Sequence, residues 1–231
     1  MRLNSRTLSA AARVIAPVFC ALMLVASPGR AASVSYILDQ SNTLADGVPY
    51  LQVTVADGAD GAIDFTVEIL DSLSHSAGQN FGIQAFAFNV IAGGDAEAAN
   101  VGNLPEGWIT RDHYRMSEFG FFDIKLYGGG NSRLQTLTFS ILGIDGDTPE
   151  DYAVLSTGNV PNDNSFFAAH VADFKFADCT SAKKCPSSAF FAGSSAVPLP
   201  GAAWLFATGV AGVMLRARKR KAAALMASDR G

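Results

Sequence analysis

Three histidines, His75, His113 and His170, stand too far apart for the short ligand spacings of a metal site. His113 lies in "WITRDHYRMSE" beside Asp112 and Glu118, side chains able to exchange protons. No serine, cysteine or second-histidine motif accompanies it to build a nucleophile, so the preferred reading is a surface-loop histidine. His170 follows an alternating run and reads as a satisfied strand residue. The segment "DGDTPEDY" gathers Asp145, Asp147, Glu150 and Asp151, oxygen donors of the kind calcium takes. It lacks the glycine at the sixth place and the glutamate at the twelfth of a helix–loop–helix calcium loop. An acidic turn broken by Gly146 and Pro149 is therefore expected, with calcium a weak candidate; "NVPNDNS" (159–165) is read with the same caution. No other metal and no cofactor is expected. The paired carboxylates of glycoside hydrolysis cannot be singled out among so many acids, so no catalytic residue is assigned and the chain is not read as an enzyme.

Aromatic rings are the other chemistry-bearing group. Trp108, Tyr114, Phe119, Phe121, Tyr127 and Tyr152 include rings whose strand parity points away from the inferred core. Exposed rings on a sheet can stack on sugars, although such rings more commonly pack in a core or along an edge.

The elements that must position these groups follow a period of two. "AIDFTVEIL" alternates Ile63, Phe65, Val67 and Ile69 against Asp64, Thr66 and Glu68, the pattern of a half-buried strand. "YLQVTV" does the same with Leu51, Val53 and Val55, and the "ADGADGA" between them supplies the Asp-Gly pairs of a hairpin turn. Further strands are expected at 33–38, 81–90, 121–127, 134–142, 168–176 and 188–193. The parity of 81–90 changes near Gln84, as at a bulge or in a strand buried on both faces. No sustained helical stripe interrupts them. Seven or eight short strands joined by Gly- and Asp-rich connectors predict an all-β fold, an antiparallel β-sandwich of Ig-like or jelly-roll type.

Charge is unevenly spread. Between Ala32 and Pro200 stand 20 acidic residues against 7 basic ones, a net −13 in a chain whose total is −4. A domain this acidic is not expected to bind nucleic acid, which requires clustered Lys and Arg. The charge suits solubility outside the cell or a cation-rich matrix.

The basic residues lie mostly at the two ends. Arg2, Arg6 and Arg13 precede the apolar run "VIAPVFCALMLVA" (14–26), and Gly29 and Ala31 are placed for signal-peptidase cleavage after Ala31. Thirteen apolar residues are few against the roughly 20 of a membrane span, so removal is favoured over a retained anchor. Lipoprotein processing at Cys20 is rejected because Phe19 is too large to precede it and Cys20 lies within the apolar run. Export to an oxidising compartment makes "CTSAKKC" a candidate disulfide loop between Cys179 and Cys185.

At the other end, "AVPLPGAAWLFATGVAGVMLRARKRKAA" (196–223) places two prolines, an apolar run and a basic cluster in order. The run Gly201–Leu215 is short for a bilayer, but Trp204 at one interface and Arg216, Arg218, Lys219, Arg220 and Lys221 at the other suit a stop-transfer helix with a cytoplasmic cluster. The motif Val197, Pro198, Leu199, Pro200, then Ala202, Ala203, Trp204, Leu205, Phe206, Gly209 and Gly212, resembles the PEP-CTERM sorting signal of Gram-negative bacteria in its VPLP variant. Leu199 stands where the glutamate of the family name would be, and Gly201 also departs from the pattern. The match covers about the last tenth of the chain. "SNTLADGVPYLQVTVADG", "FGIQAFAFNV" and "FFAAHVADF" also resemble segments of proteins carrying this tail, with less specificity.

The resemblance implies that an exosortase, a membrane-embedded transpeptidase-like protease, cuts near the prolines and that the mature domain reaches the cell surface or an exopolysaccharide matrix. The expected organisation is a signal peptide at 1–31, a β-sandwich at 32–193, the sorting signal at 194–221 and a cytoplasmic tail at 222–231. The membrane would be a partner through the C-terminal helix until processing, and exopolysaccharide would be the partner of the freed, non-catalytic domain. Two alternatives compete: a secreted polysaccharide-active enzyme, and an uncleaved single-pass periplasmic membrane protein.

Overall fold

The computed structural model describes residues 32–91, 93–161, 163–176 and 185–197. Among them run twelve strands: β1 (Ser33–Leu38), β2 (Gln40–Ser41), β3 (Leu51–Asp57), β4 (Ile63–Ile69), β5 (Ala77–Phe88), β6 (Val101–Gly102), β7 (Trp108–Arg115), β8 (Phe121–Gly128), β9 (Thr136–Ile141), β10 (Phe167–Phe174), β11 (Ser188–Gly193) and β12 (Ser195–Val197). The α-helix among these residues is a single turn, α1 (Asp71–Ser74), too short to cross a membrane. The strands pair antiparallel in two sheets, β12-β1-β3-β4-β9-β6 and β2-β11-β10-β5-β8-β7.

Alternation in sequence becomes two faces in space. In β4, Ile63, Phe65 and Val67 are buried while Asp64 and Glu68 are exposed, as a half-buried strand requires. The β3–β4 hairpin turns through Asp60 (φ 55°) and Gly61 (φ 76°), a left-handed pair that aspartate tolerates and glycine adopts freely. The inner faces of the two sheets meet in an aromatic core. Phe65 of the first sheet stacks on Phe139 at 4.6 Å and meets Phe88 of the second at 4.9 Å, with Tyr152 edge-on at 5.3 Å. Removing each such side chain from water contributes about 1.5–3 kcal/mol, and each favourable ring pair about 0.5–1.5 kcal/mol more. This layer holds the sheets together.

The parity change at Gln84 is a β-bulge. Ile83 stands opposite Val171 and Ala85 opposite His170, leaving Gln84 without a partner in β10. The bulge keeps Ile83, Phe86 and Phe88 in the core and turns Ala85 and Ala87 to the outer face, where a smaller cluster of Met116, Phe119, Phe122, Ala168 and Ala192 packs on them.

The strand expectations hold at β1, β3, β4, β8, β9, β10 and β11, and β5 begins earlier, at Ala77. The strand absent from the sequence reading is β7. It lies on a sheet edge and is exposed from Arg111 to Arg115, so it has no apolar alternation to reveal it. His113 is accordingly in a strand rather than a surface loop, with φ at 46°. The strands β2, β6 and β12 span two or three residues, too few for any period.

Candidate functional site

The outer face of the second sheet is built from two rows of residues in register. One runs Phe190, His170, Ala85, Tyr127 and Ile109 across β11, β10, β5, β8 and β7. The other runs Ala192, Ala168, Ala87, Lys125 and Arg111 across the same strands. The first row spans about 19 Å at the usual strand spacing. The alanines of the middle strands are buried beneath Met116, Phe119 and Phe122, and Phe190 and Tyr127 pack at the margins of that cluster.

Lys125 is the centre of this face. Its Nζ lies 3.4 Å from the centroid of the Tyr114 ring and 5.3 Å from that of Tyr127, a cation between two π faces. Strict alternation from Arg111 would put His113 and Arg115 on the Lys125 side. The left-handed backbone at His113 breaks that alternation and brings Tyr114 there instead, while His113 and Arg115 gather on Phe121. Lys125 is buried, and its pKa is lowered by that burial and secondarily by the neighbouring Arg111. Among the described residues no carboxylate pairs with Lys125 or Arg111. Arg133 closes the face from the loop before β9, its Nε donating to Gln84 Oε1 at 2.9 Å and its guanidinium to the Asn80 carbonyl at 3.4 Å.

The neighbouring acids are engaged elsewhere. Asp112 accepts from the Ala98 amide at 2.9 Å, Asp123 from Val90 at 3.1 Å and Asp173 from Asn80 at 2.6 Å. Among the described residues the cations of this region are thus left without carboxylate partners.

His170 lies flat on Phe190, centroids 4.2 Å apart and planes at 9°. Its Nε2 is buried and has no hydrogen-bond partner among the described residues, so the expectation of a satisfied strand histidine is corrected. Burial, with the charges of Arg133 and Lys125, pushes its pKa down to about 4 and keeps the ring neutral at neutral pH.

A second, polar recess of about 470 Å³ lies on the first sheet, lined in part by Asp60, Asp64, Asn103 and Ser140. The Ser140 hydroxyl donates to Asp64 at 2.6 Å and accepts from Asn103 Nδ2 at 3.1 Å. With the proton committed to Asp64, this serine is a structural bridge rather than a poised nucleophile. Beside it the sheet's outer face is hydroxyl-rich, with Ser35, Thr54, Thr66 and Thr138 in one row.

The remaining sequence candidates are placed as follows. Of the proposed outward rings, Trp108, Phe119 and Tyr152 are buried, whereas Tyr114 and Tyr127 share the cationic face. Trp108 lies against Gly128, where any Cβ would fall 2.2 Å from the indole, and its Nε1 donates to the Ser132 carbonyl at 2.7 Å. In the acidic turn, Asp147 accepts from the Tyr152 hydroxyl at 2.5 Å and Asp151 caps Thr148. Asp145 and Glu150 do not join them in a metal cage, and no group of three or more His, Cys, Asp or Glu among the described residues is arranged to hold a metal. Val197 ends β12, paired with Ser35 of β1 and exposed on the sheet edge, so the folded sheet reaches the first residue of the proline motif. Residues 1–31 with Ala31, the segment 198–231 with Pro198, Leu199, Pro200 and the cluster Arg216, Arg218, Lys219, Arg220 and Lys221, and Cys179 all lie outside the described residues.

Comparison with protein-family models, with curated proteins and with solved structures finds no match.

Proposed function

We propose that the chain is an exported surface or exopolysaccharide-matrix protein of a Gram-negative bacterium, sorted by its C-terminal PEP-CTERM-like signal and acting as a non-catalytic polysaccharide-binding module. The observation that carries the sorting reading is the succession of motifs in the tail's sequence: Val197 to Pro200, the apolar run from Gly201, and Arg216 to Lys221. The exposed edge strand β12 supports it, because Val197 at the strand end leads directly into residues whose prolines favour extended backbone. A protease that reads an extended segment would meet Val197 at the exposed sheet edge. The polysaccharide reading rests on the outer face of the second sheet toward its β7 edge, where the exposed Tyr114 and the half-buried Tyr127 flank Lys125. Such a face offers stacking area without a nucleophile or an acid pair.

Intact-mass measurement of the protein from its native host, with membrane and medium fractions analysed separately, tests the sorting reading. The expected mature species begins near Ala32 and ends near Pro198–Pro200. A species retaining Arg216 to Gly231 and confined to the inner membrane would overturn it in favour of an uncleaved single-pass protein. The same spectra, taken with and without reductant and alkylation, check the proposed Cys179–Cys185 disulfide.

A further inference from the structure

We infer that the outer face of the second sheet binds an acidic glycan, a chain of uronate-type sugars, with Tyr114 and Tyr127 stacking on sugar rings and Arg111 and Lys125 meeting the carboxylates. The inference rests on the polysaccharide-binding reading and narrows it to a chemical class. Charge complementarity carries it. In a segment with 20 acids and 7 bases, three of the bases, Arg111, Lys125 and Arg133, gather here from β7, β8 and the loop before β9. None of the three pairs with a carboxylate among the described residues, although the segment carries 20 carboxylates. Ion pairing within the fold would be the ordinary fate of such side chains, and its absence leaves this face as the cationic patch of an anionic protein.

Lys125 makes the argument specific. Its side chain is largely buried while the ammonium keeps some solvent contact. That ammonium has no counter-ion among the described residues and is compensated only in part by two tyrosine rings. An anion arriving at the same face would complete its neutralisation. The rings it orders are the ones a pyranose would stack upon: Tyr114 is 42% exposed, and Tyr127 lies in the register row that ends at the 48% exposed Ile109. Arg111, adjacent to Lys125 in the second row and itself exposed, presents a planar donor fork suited to a carboxylate. Nucleic acid is a poor fit for the same patch, because the rest of the domain's acidic surface repels a long polyphosphate. The first sheet, with Asp64 and Glu68 exposed on its outer face, has the opposite character and would repel the same glycan.

The test is isothermal titration of the full-length protein in neutral detergent micelles with alginate-type oligouronates and, separately, with dextran oligosaccharides of equal length. The expected result is oligouronate binding that weakens strongly between about 0.02 M and about 0.5 M salt, as screening of exposed charges requires. Arg111→Gln and Lys125→Met should each lower oligouronate affinity about tenfold, the loss of one charge-assisted contact. Tyr114→Ala should lower it about fivefold by loss of stacking. Circular-dichroism melts accompany each variant, and Arg111→Gln, at an exposed position, keeps the test valid if Lys125→Met fails to fold. Equal binding of dextran and oligouronate, unmoved by Arg111→Gln, would overturn the acidic-glycan inference while leaving polysaccharide binding in place. Binding of neither probe would overturn both.

Discussion

The neutral, orphaned imidazole of His170 makes the fold sensitive to acid in a way one substitution can isolate. In the unfolded chain this ring titrates near 6.5, whereas in the folded protein burial first, then Arg133 and Lys125, hold its pKa at about 4. Between those values the unfolded state binds a proton that the folded state refuses, so stability falls as pH falls. The stability is fully present above about pH 6.5 and is lost on descending toward about pH 4. A displacement from 6.5 to about 4 corresponds to roughly 3 kcal/mol, reduced to about 2 kcal/mol by solvent screening of a ring that is not wholly enclosed. His170→Phe retains the stack on Phe190 and removes the proton site. Urea denaturation of both proteins at pH 7.5 and 4.5 should show the parent losing about 2 kcal/mol more than the variant across that interval. Comparing the two proteins cancels the carboxylates, which titrate in both. NMR titration of the histidine ring protons should leave His170 neutral well below pH 6. Parallel pH profiles of parent and variant, or a His170 midpoint above 6, would refute the reasoning.

Two further substitutions probe the packing that shapes the face. Gly128→Ala sets a methyl into the Trp108 indole and should destabilise by about 1–3 kcal/mol, with a shift in tryptophan emission as the ring moves; unchanged emission and stability would show that the contact is slack. Tyr152→Phe keeps the rings against Phe65 and Phe88 but removes the hydroxyl bonded to Asp147, and should cost about 1 kcal/mol in chemical denaturation. The parent Tyr152 should stay protonated through alkaline titration, because burial and the Asp147 carboxylate raise its pKa; ultraviolet detection of an ordinary tyrosinate at this site would contradict that.

The strands of the core were legible in the sequence because burial on one face imposes alternation. Ile63, Phe65 and Val67 announce β4, and the break in parity at Gln84 marks the bulge in β5. The acidic turn was legible too, since Gly146 and Pro149 break the chain there by local chemistry, whereas the Thr148–Asp151 capping pair emerged only in the structure. The cationic face was not. Its residues come from five strands and one loop, and alternation is silent on which distant side chains share a row. The edge strand β7 obeys no burial rule, so neither its existence nor the turn at His113 that carries Tyr114 to Lys125 has a periodic signature. Sequence indicated the core strands, their Gly- and Asp-rich turns and the proposed address of the chain, all carried by short-range pattern. Only the tertiary pairing decided that Arg111, Lys125, Tyr127, His170 and Phe190 lie on one surface, because strand order and register depend on contacts between residues far apart in the chain.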